Sequence, residues 1–126
     1  MKILYYGHDK EIRRIKSCLE FSGAETLMVY SGIDNVTALG EGEGLSMAIV
    51  DVTALDSHIV YDHIKKFWDI PVILLLGENG DDWNGMDEMD ADGYLHRNAG
   101  ETEIVARVEA VRRRVQKAIA HAKRGK

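Results

Sequence analysis

Cysteine is nearly missing from this chain. Cys18 is the only one, which excludes an intramolecular disulfide and a thiolate metal cluster. It sits in a helical apolar pattern and reads as a buried structural thiol. Proline is equally scarce: Pro71 alone is present, opening an apolar run, where its missing N–H is tolerated. No stretch approaches the ~20 apolar residues of a membrane helix. No h-region or small-residue cleavage site follows Met1 and Lys2. The expected setting is cytoplasmic, without contact to a membrane. Internal repeats, low-complexity tracts and interdomain linkers are absent. So are a nucleophile–base pair and a cofactor loop. The GEGEG of residues 40–44 has the composition of a phosphate loop, but it lacks the Lys-Ser/Thr ending and precedes a strand. The chain is therefore not expected to be an enzyme.

What is present suits one folded domain. Of the 126 residues, 45% are hydrophobic and 29% charged. The net charge of −5 conceals an asymmetry. Residues 107–126 hold half of the 16 Lys and Arg against one acid, Glu109. Without aromatic interleaving or a base-reading motif, this basic stretch reads as a solvated helix face or a linker. Nucleic acid is expected only through an effector domain outside these residues.

Five apolar runs of strand character alternate with segments of helical period: residues 2–6, 26–30, 45–52, 71–76 and 92–96. SMAIVDV and PVILLL are almost continuously apolar, as befits strands covered on both faces. Such βα alternation implies a parallel sheet with right-handed crossovers. The first helix is predicted from an Asp9 N-cap through Ile12, Ile15, Cys18 and Leu19, closed by Gly23. The second, over residues 33–39, is short. The third, over 57–68, places Val60, Ile64 and Phe67 at core spacing. The fourth, within GDDWNGMDEMD, is the weakest, with Trp83, Met86 and Met89 to bury. The fifth runs from Glu101 to about Lys123.

Open parallel sheets collect their chemistry beyond the carboxyl ends of the strands. Those ends hold Gly7, His8 and Asp9, then Asp51 and Thr53, then Leu76 and Glu78, then Arg97 and Asn98. Asp51 directly follows MAIV, so a carboxylate leaves a buried strand at the rim. An Asp there also commonly caps a loop or a helix.

The order and spacing of five blocks decide between these readings. KILYYGHDKEIRRIKSCLEFSG resembles the opening of response-regulator receiver domains. SMAIVDV resembles their phosphoacceptor strand, PVILLLG the strand after it, and ADGYLHRNAGETEIVARVEAVRRR their last strand and helix. The resemblance covers about residues 2–114 and is closest to receivers that precede winged-helix DNA-binding domains. It implies an α/β fold: a doubly wound, five-stranded parallel sheet of flavodoxin-like order 2-1-3-4-5 with helices on both faces. Residues 1–114 would form the receiver domain and residues 115–126 a helical extension or linker.

The resemblance also assigns roles, several of which this chain alters. Asp51 takes the phosphoacceptor position and Tyr94 that of the switch aromatic. The acidic pair that would hold Mg²⁺ falls on Gly7 and His8, with Asp9 one place late. The hydroxyl position falls on Leu76 and the Lys position on Arg97. Mg²⁺ is a hard cation that demands oxygen ligands. Gly7 supplies no side-chain ligand, and the imidazole of His8 is a poor match. Arg97 keeps the positive charge, but as a planar fork. It is expected to pair with Asp51 as a structural anion. The alternatives are a weakened Mg²⁺ site completed by Asp9 or Glu78, and a borderline-metal site of His8 and Asp51. The expected function is an atypical receiver, a phosphate-independent interaction or dimerisation module. The alternative is a conventional Mg²⁺-dependent aspartyl-phosphate receiver switched by a histidine kinase.

Apolar residues recur at three- and four-residue spacing from Ile104 through Val115 to Ala122, past the point where a sheet can bury them. A homodimer is expected through this last helix and the face of the fourth helix and fifth strand. Its residues would be Trp83, Tyr94, Arg107, Val108, Val111 and Val115, with an effector domain as a further partner.

Overall fold

Tyr5 and Tyr6 are neighbours in sequence, both buried, and point to opposite faces of one strand. That alternation organises the molecule. The computed structural model of the chain describes residues 2–7, 9–21, 23, 25–29, 33–38, 44–77, 91–97 and 99–124. Strands β1 (Lys2–Tyr6), β2 (Glu25–Val29), β3 (Met47–Asp51), β4 (Val72–Leu76) and β5 (Gly93–His96) form one sheet in the order β2-β1-β3-β4-β5. Every neighbouring pair runs parallel. All five residues of β3 and of β4 are buried, which explains why both read as continuous apolar runs.

Helices α1 (Asp9–Phe21), α2 (Ile33–Thr37), α3 (Ser57–Phe67) and α4 (Glu101–Arg124) cover the two faces. Ile3, Tyr5, Ile49, Ile73 and Leu75 pack with Ile15, Cys18 and Leu19 of α1 and Ile104 and Val108 of α4. The alternate residues Leu4, Tyr6, Val50 and Leu74 pack with Val36 of α2 and Val60, Tyr61 and Ile64 of α3. Right-handed crossovers require this division: β1 to β2 steps one way along the sheet, while β2 to β3 and β3 to β4 step the other. The parallel, doubly wound architecture read from the sequence is thus the observed one.

Local chemistry accounts for several boundaries. Gly23 closes α1 at φ 92° and donates its N–H to the Glu20 carbonyl at 3.0 Å, a conformation that favours glycine. Asp92 ties three elements together. Its carboxylate accepts the Val72 N–H at 2.7 Å and lies 3.5 Å from Lys65 of α3, while its carbonyl accepts from Arg114 of α4 at 2.8 Å. Gly93 gives α4 a close approach, because a Cβ there would sit 3.2 Å from Val111 Cγ2.

Four expectations need correction or fall outside the described residues. Phe67 is 60% exposed, and Trp68 fills the core place intended for it. Spacings of three and four from Ile64 fit a helix equally, and the one that buries the larger ring prevails. α1 begins at Asp9 itself and α2 ends at Thr37. The helix expected within GDDWNGMDEMD lies outside the described residues. At 24 residues α4 is about 36 Å long, roughly twice the ~17 Å of a five-residue strand. Among the described residues, no helix is long and apolar enough to cross a membrane.

Candidate functional site

The last residue of β3 brings Asp51 to the sheet's carboxyl rim, in register with Leu75 of β4. The residue is 0% exposed, so its charge needs partners. Oδ1 accepts three hydrogen bonds: from the Thr53 N–H at 2.9 Å, the Thr53 hydroxyl at 2.7 Å and Arg97 Nη2 at 2.5 Å. Arg97 Nη2 also donates to Thr53 Oγ1 at 3.1 Å, which closes the triangle. Oδ2 is buried and has no hydrogen-bond partner among the described residues.

The loop after β3 is built to present Thr53. The Ala54 N–H donates to the Asp51 carbonyl at 3.1 Å, and the Ser57 hydroxyl to the Val52 carbonyl at 3.0 Å. From the sheet, the Tyr6 hydroxyl donates to the Leu55 carbonyl at 2.5 Å. Arg97 is held from the other side. Arg14 of α1 donates through Nη2 to the Arg97 carbonyl and through Nη1 to the Ala99 carbonyl, each at 2.6 Å. One guanidinium thus straddles the turn that carries the other.

Gly7, just past β1, faces Asp51. A Cβ there would lie 2.7 Å from both Cε1 and the hydroxyl of Tyr5, and 2.8 Å from the Asp51 Cβ. Two of those neighbours are a rigid ring, so the space a side chain at position 7 would need is already taken by Tyr5.

The structure therefore brings Asp51, Gly7 and Arg97 together. Leu76, at the hydroxyl position, is 7% exposed and packs into the α2/α3 face. Tyr94 stands 38% exposed on β5. His8, Asn98, Glu78 and Trp83 lie outside the described residues, as do the side chains of Asp9 and Val115. Among the described residues, no group of three or more His, Cys, Asp and Glu is placed to hold a metal ion. Of the residues expected on a dimer face, Arg107 is exposed beside Glu103 at 3.8 Å. Val108 and Val111 are not on a free face. At 1% and 2% exposure they belong to the chain's own core, because the sheet takes this part of the α4 stripe.

Sequence reasoning missed Tyr5 and Arg14, and placed Thr53 at the rim without giving it a role. An Asp-x-Thr spacing signals a local turn in which the carboxylate binds the backbone two residues on. Nothing in the sequence announces Arg14, whose carbonyl partners are more than 80 residues away. Elsewhere, burial pushes the Cys18 thiol up, with the Glu101 carboxylate adding to the effect. The hydrogen bond from Arg112 holds the Glu109 carboxyl below its usual range.

No protein-family model matches the chain. It is 32% identical over 128 residues to the "Probable transcriptional regulator ycf27" of Porphyra purpurea, covering 92% of this chain and 49% of that protein. To the protein of the same description from Galdieria sulphuraria it is 34% identical over 121 residues, covering 92% of this chain and 47% of the relative. To the "Transcriptional regulatory protein CpxR homolog" of Haemophilus influenzae it is 28% identical over 116 residues, 90% of this chain and 51% of the relative. Among solved structures, it matches the N-terminal domain of a response regulator/sensory box/GGDEF protein from Carboxydothermus hydrogenoformans at TM-score 0.82 and 18% identity, covering 94% and 99% of the two chains. A CheY-like receiver domain protein from Methanospirillum hungatei matches at TM-score 0.76 and 18% identity, covering 93% and 97%. The doubly wound parallel sheet is thus the fold of these receiver-domain structures. The relatives it matches are response regulators and its structural neighbours include CheY-like receiver domains, and the chain spans about half the length of those curated relatives.

Proposed function

We propose that this domain is an atypical receiver that works without aspartyl phosphorylation, as an interaction or dimerisation module of a cytoplasmic two-component-type regulator, and that it is not an enzyme. One observation carries the reading: Arg97 Nη2 lies 2.5 Å from Asp51 Oδ1, with Thr53 closing the same oxygen. Oδ1 is thereby satisfied by a cation and two neutral donors. The described residues do not suit Mg²⁺ either. Gly7 supplies no side-chain oxygen, and the ring of Tyr5 fills the room in which an acid would stand.

In this reading Asp51 is a structural anion that fixes the loops bearing Thr53 and Arg97. Residues 1–114 are the receiver proper, of the kind that precedes a winged-helix effector domain, and residues 115–126 are its helical extension. Nucleic acid is met only through that effector. A homodimer forms through the exposed side of α4 and the Tyr94 face, with Arg107 in the contact. A second reading, a conventional receiver phosphorylated by a histidine kinase, draws support from Oδ2 of Asp51, which is left without a partner among the described residues.

One experiment separates the two. The protein is incubated with Mg²⁺ and a small acyl phosphate, and in parallel with beryllofluoride, and its intact mass is compared with that of the Asp51→Asn variant. No phosphoryl or beryllofluoride adduct is expected. An efficient adduct that disappears with Asp51→Asn overturns the proposal in favour of the second reading.

A further inference from the structure

Four large hydrophobic side chains are exposed among the described residues, and three of them fall on one stripe of α3 and the turn that leads into it. Leu55 is 76% exposed, Ile59 50% and Phe67 60%. His63 completes the four-residue spacing 55, 59, 63, 67, and its ring lies 4.8 Å from that of Phe67. Residues four apart share a helix face. Ile59, His63 and Phe67 therefore line about 12 Å of one side of α3, with Leu55 in the turn before it. It is surplus to the fold, because α3 already seats Val60, Tyr61 and Ile64 in the core. Single exposed apolar residues are ordinary, but a contiguous patch marks an interaction site.

The charges beside the stripe say what fits it. Asp56 stands in the preceding turn, and Asp62, 63% exposed, stands at the middle of the helix, 3.6 Å from His58. Bases occupy the last turn, Lys65 and Lys66, with the Lys66 ammonium 5.4 Å from the Phe67 ring centroid. A face that carries an acid, Asp62, and a base, Lys66, one turn apart complements itself when a copy is turned end for end. Opposed helix dipoles favour the same antiparallel arrangement. With the two-fold axis at His63, Ile59 of each copy meets Phe67 of the other, and Asp62 of each comes beside Lys66 of the other.

We propose that the outer face of α3 is a self-association surface that receives the same face of a second copy of this chain, because its apolar stripe and its two-signed charge pattern are self-complementary in antiparallel register. The surface is separate from α4 and Tyr94, and it does not depend on whether Asp51 is phosphorylated. It abuts the site nonetheless. Leu55 belongs to the loop that presents Thr53 to Asp51 and is pinned by Tyr6, so a copy seated there rests on that loop.

The test uses the whole chain in sedimentation velocity across a wide concentration range. Wild type is expected to associate, and Asp62→Lys and Lys66→Glu, each alone, are expected to weaken association by about tenfold or more through like-charge contact. Mixed in equal amounts, the two variants are expected to associate again, because each now supplies the charge its neighbour lacks. Phe67→Glu is expected to abolish association alone and in every mixture. These positions are exposed, so circular dichroism should be unchanged. Three outcomes overturn the proposal: a wild type that stays monomeric throughout, as it would if other residues of the same chain cover the stripe; single variants that associate like wild type, as they would if α4 alone makes the contact; or a mixture that does not recover.

Discussion

Arg97 and Asp51 explain each other, since a carboxylate with no solvent exposure persists only beside a matched cation or a set of donors. Removing the cation leaves the charge buried, so Arg97→Ala is expected to lower stability by about 3 kcal/mol, read from the urea midpoint at constant slope. Arg97→Lys should restore only part of this, because one Nη2 here serves both Asp51 Oδ1 and Thr53 Oγ1 and an ammonium has a different reach and shape. In a double-mutant cycle, Asp51→Ala added to Arg97→Ala should cost less than the sum of the two, which is the signature of direct coupling. Gly7 yields a second expectation. Gly7→Asp, the change that would restore an acid, should itself destabilise by about 2 kcal/mol or more, because the new Cβ overlaps the Tyr5 ring and the Asp51 Cβ. Adding Tyr5→Ala should recover part of the loss, and thermal melts of the single and double variants check it. Asp51 and Arg97 were legible in the sequence because one ends, and the other directly follows, a strand that the apolar pattern delimits. Tyr5 was not, since a tyrosine in an apolar run reads as core, and only coordinates show its ring lying across the next residue but one.

At the scale of elements, α4 carries the information the sequence left least resolved. Its apolar period continues without a break past residue 111, so pattern alone could not say where the core stops and a partner's contact begins. Burial shows Val108 and Val111 committed to the sheet, and the helix continues to Arg124. The exposed side of α4 is held by charge: Arg112 donates to Glu109 from Nε and from Nη2, the latter at 2.6 Å. Because Glu109 is held below its usual range in the folded chain, its contribution is fully present above the unfolded carboxylate value and is lost as pH falls through the folded one. A small loss of stability is therefore expected on acidification below about pH 4.5, and Glu109→Gln should remove that share of the pH dependence while lowering stability at neutral pH. High salt should mute the effect, since the pair is partly exposed. Asp92 offers a stronger test of how the elements are joined. Asp92→Ala orphans the Val72 N–H and frees Lys65, so about 1–2 kcal/mol should be lost, with faster amide exchange at the start of β4. The strands were the easiest elements to read because burial on both faces writes them as unbroken apolar runs. The step from Phe67 to Trp68 was not readable, since helical spacing admits either ring.

For the molecule as a whole, the question is whether folding and ion binding are linked. Anything that binds the native state and not the unfolded one raises stability, by about 2.7 kcal/mol when the ligand stands at one hundred times its Kd. In a domain of this size that is several degrees in Tm. A receiver with a working acidic pair gathers its carboxylates at the rim at a cost in mutual repulsion, which a divalent cation relieves. Among the described residues the rim holds one carboxylate, already bound to Arg97 and Thr53, and the side chains of Gly7 and Leu76 add neither charge nor donors. There is little repulsion for a cation to relieve, and Arg97 opposes its approach. Millimolar Mg²⁺ is therefore expected to leave Tm unchanged beyond the effect of ionic strength, with NaCl at matched ionic strength as the reference. The Arg97→Ala variant frees the carboxylate without restoring a second acid and should gain at most a weak response. A saturable rise in wild-type Tm with Mg²⁺, absent with NaCl and abolished by Asp51→Asn, would show that oxygens from elsewhere in the chain complete a metal site, and the arginine would then have to move aside to admit the ion.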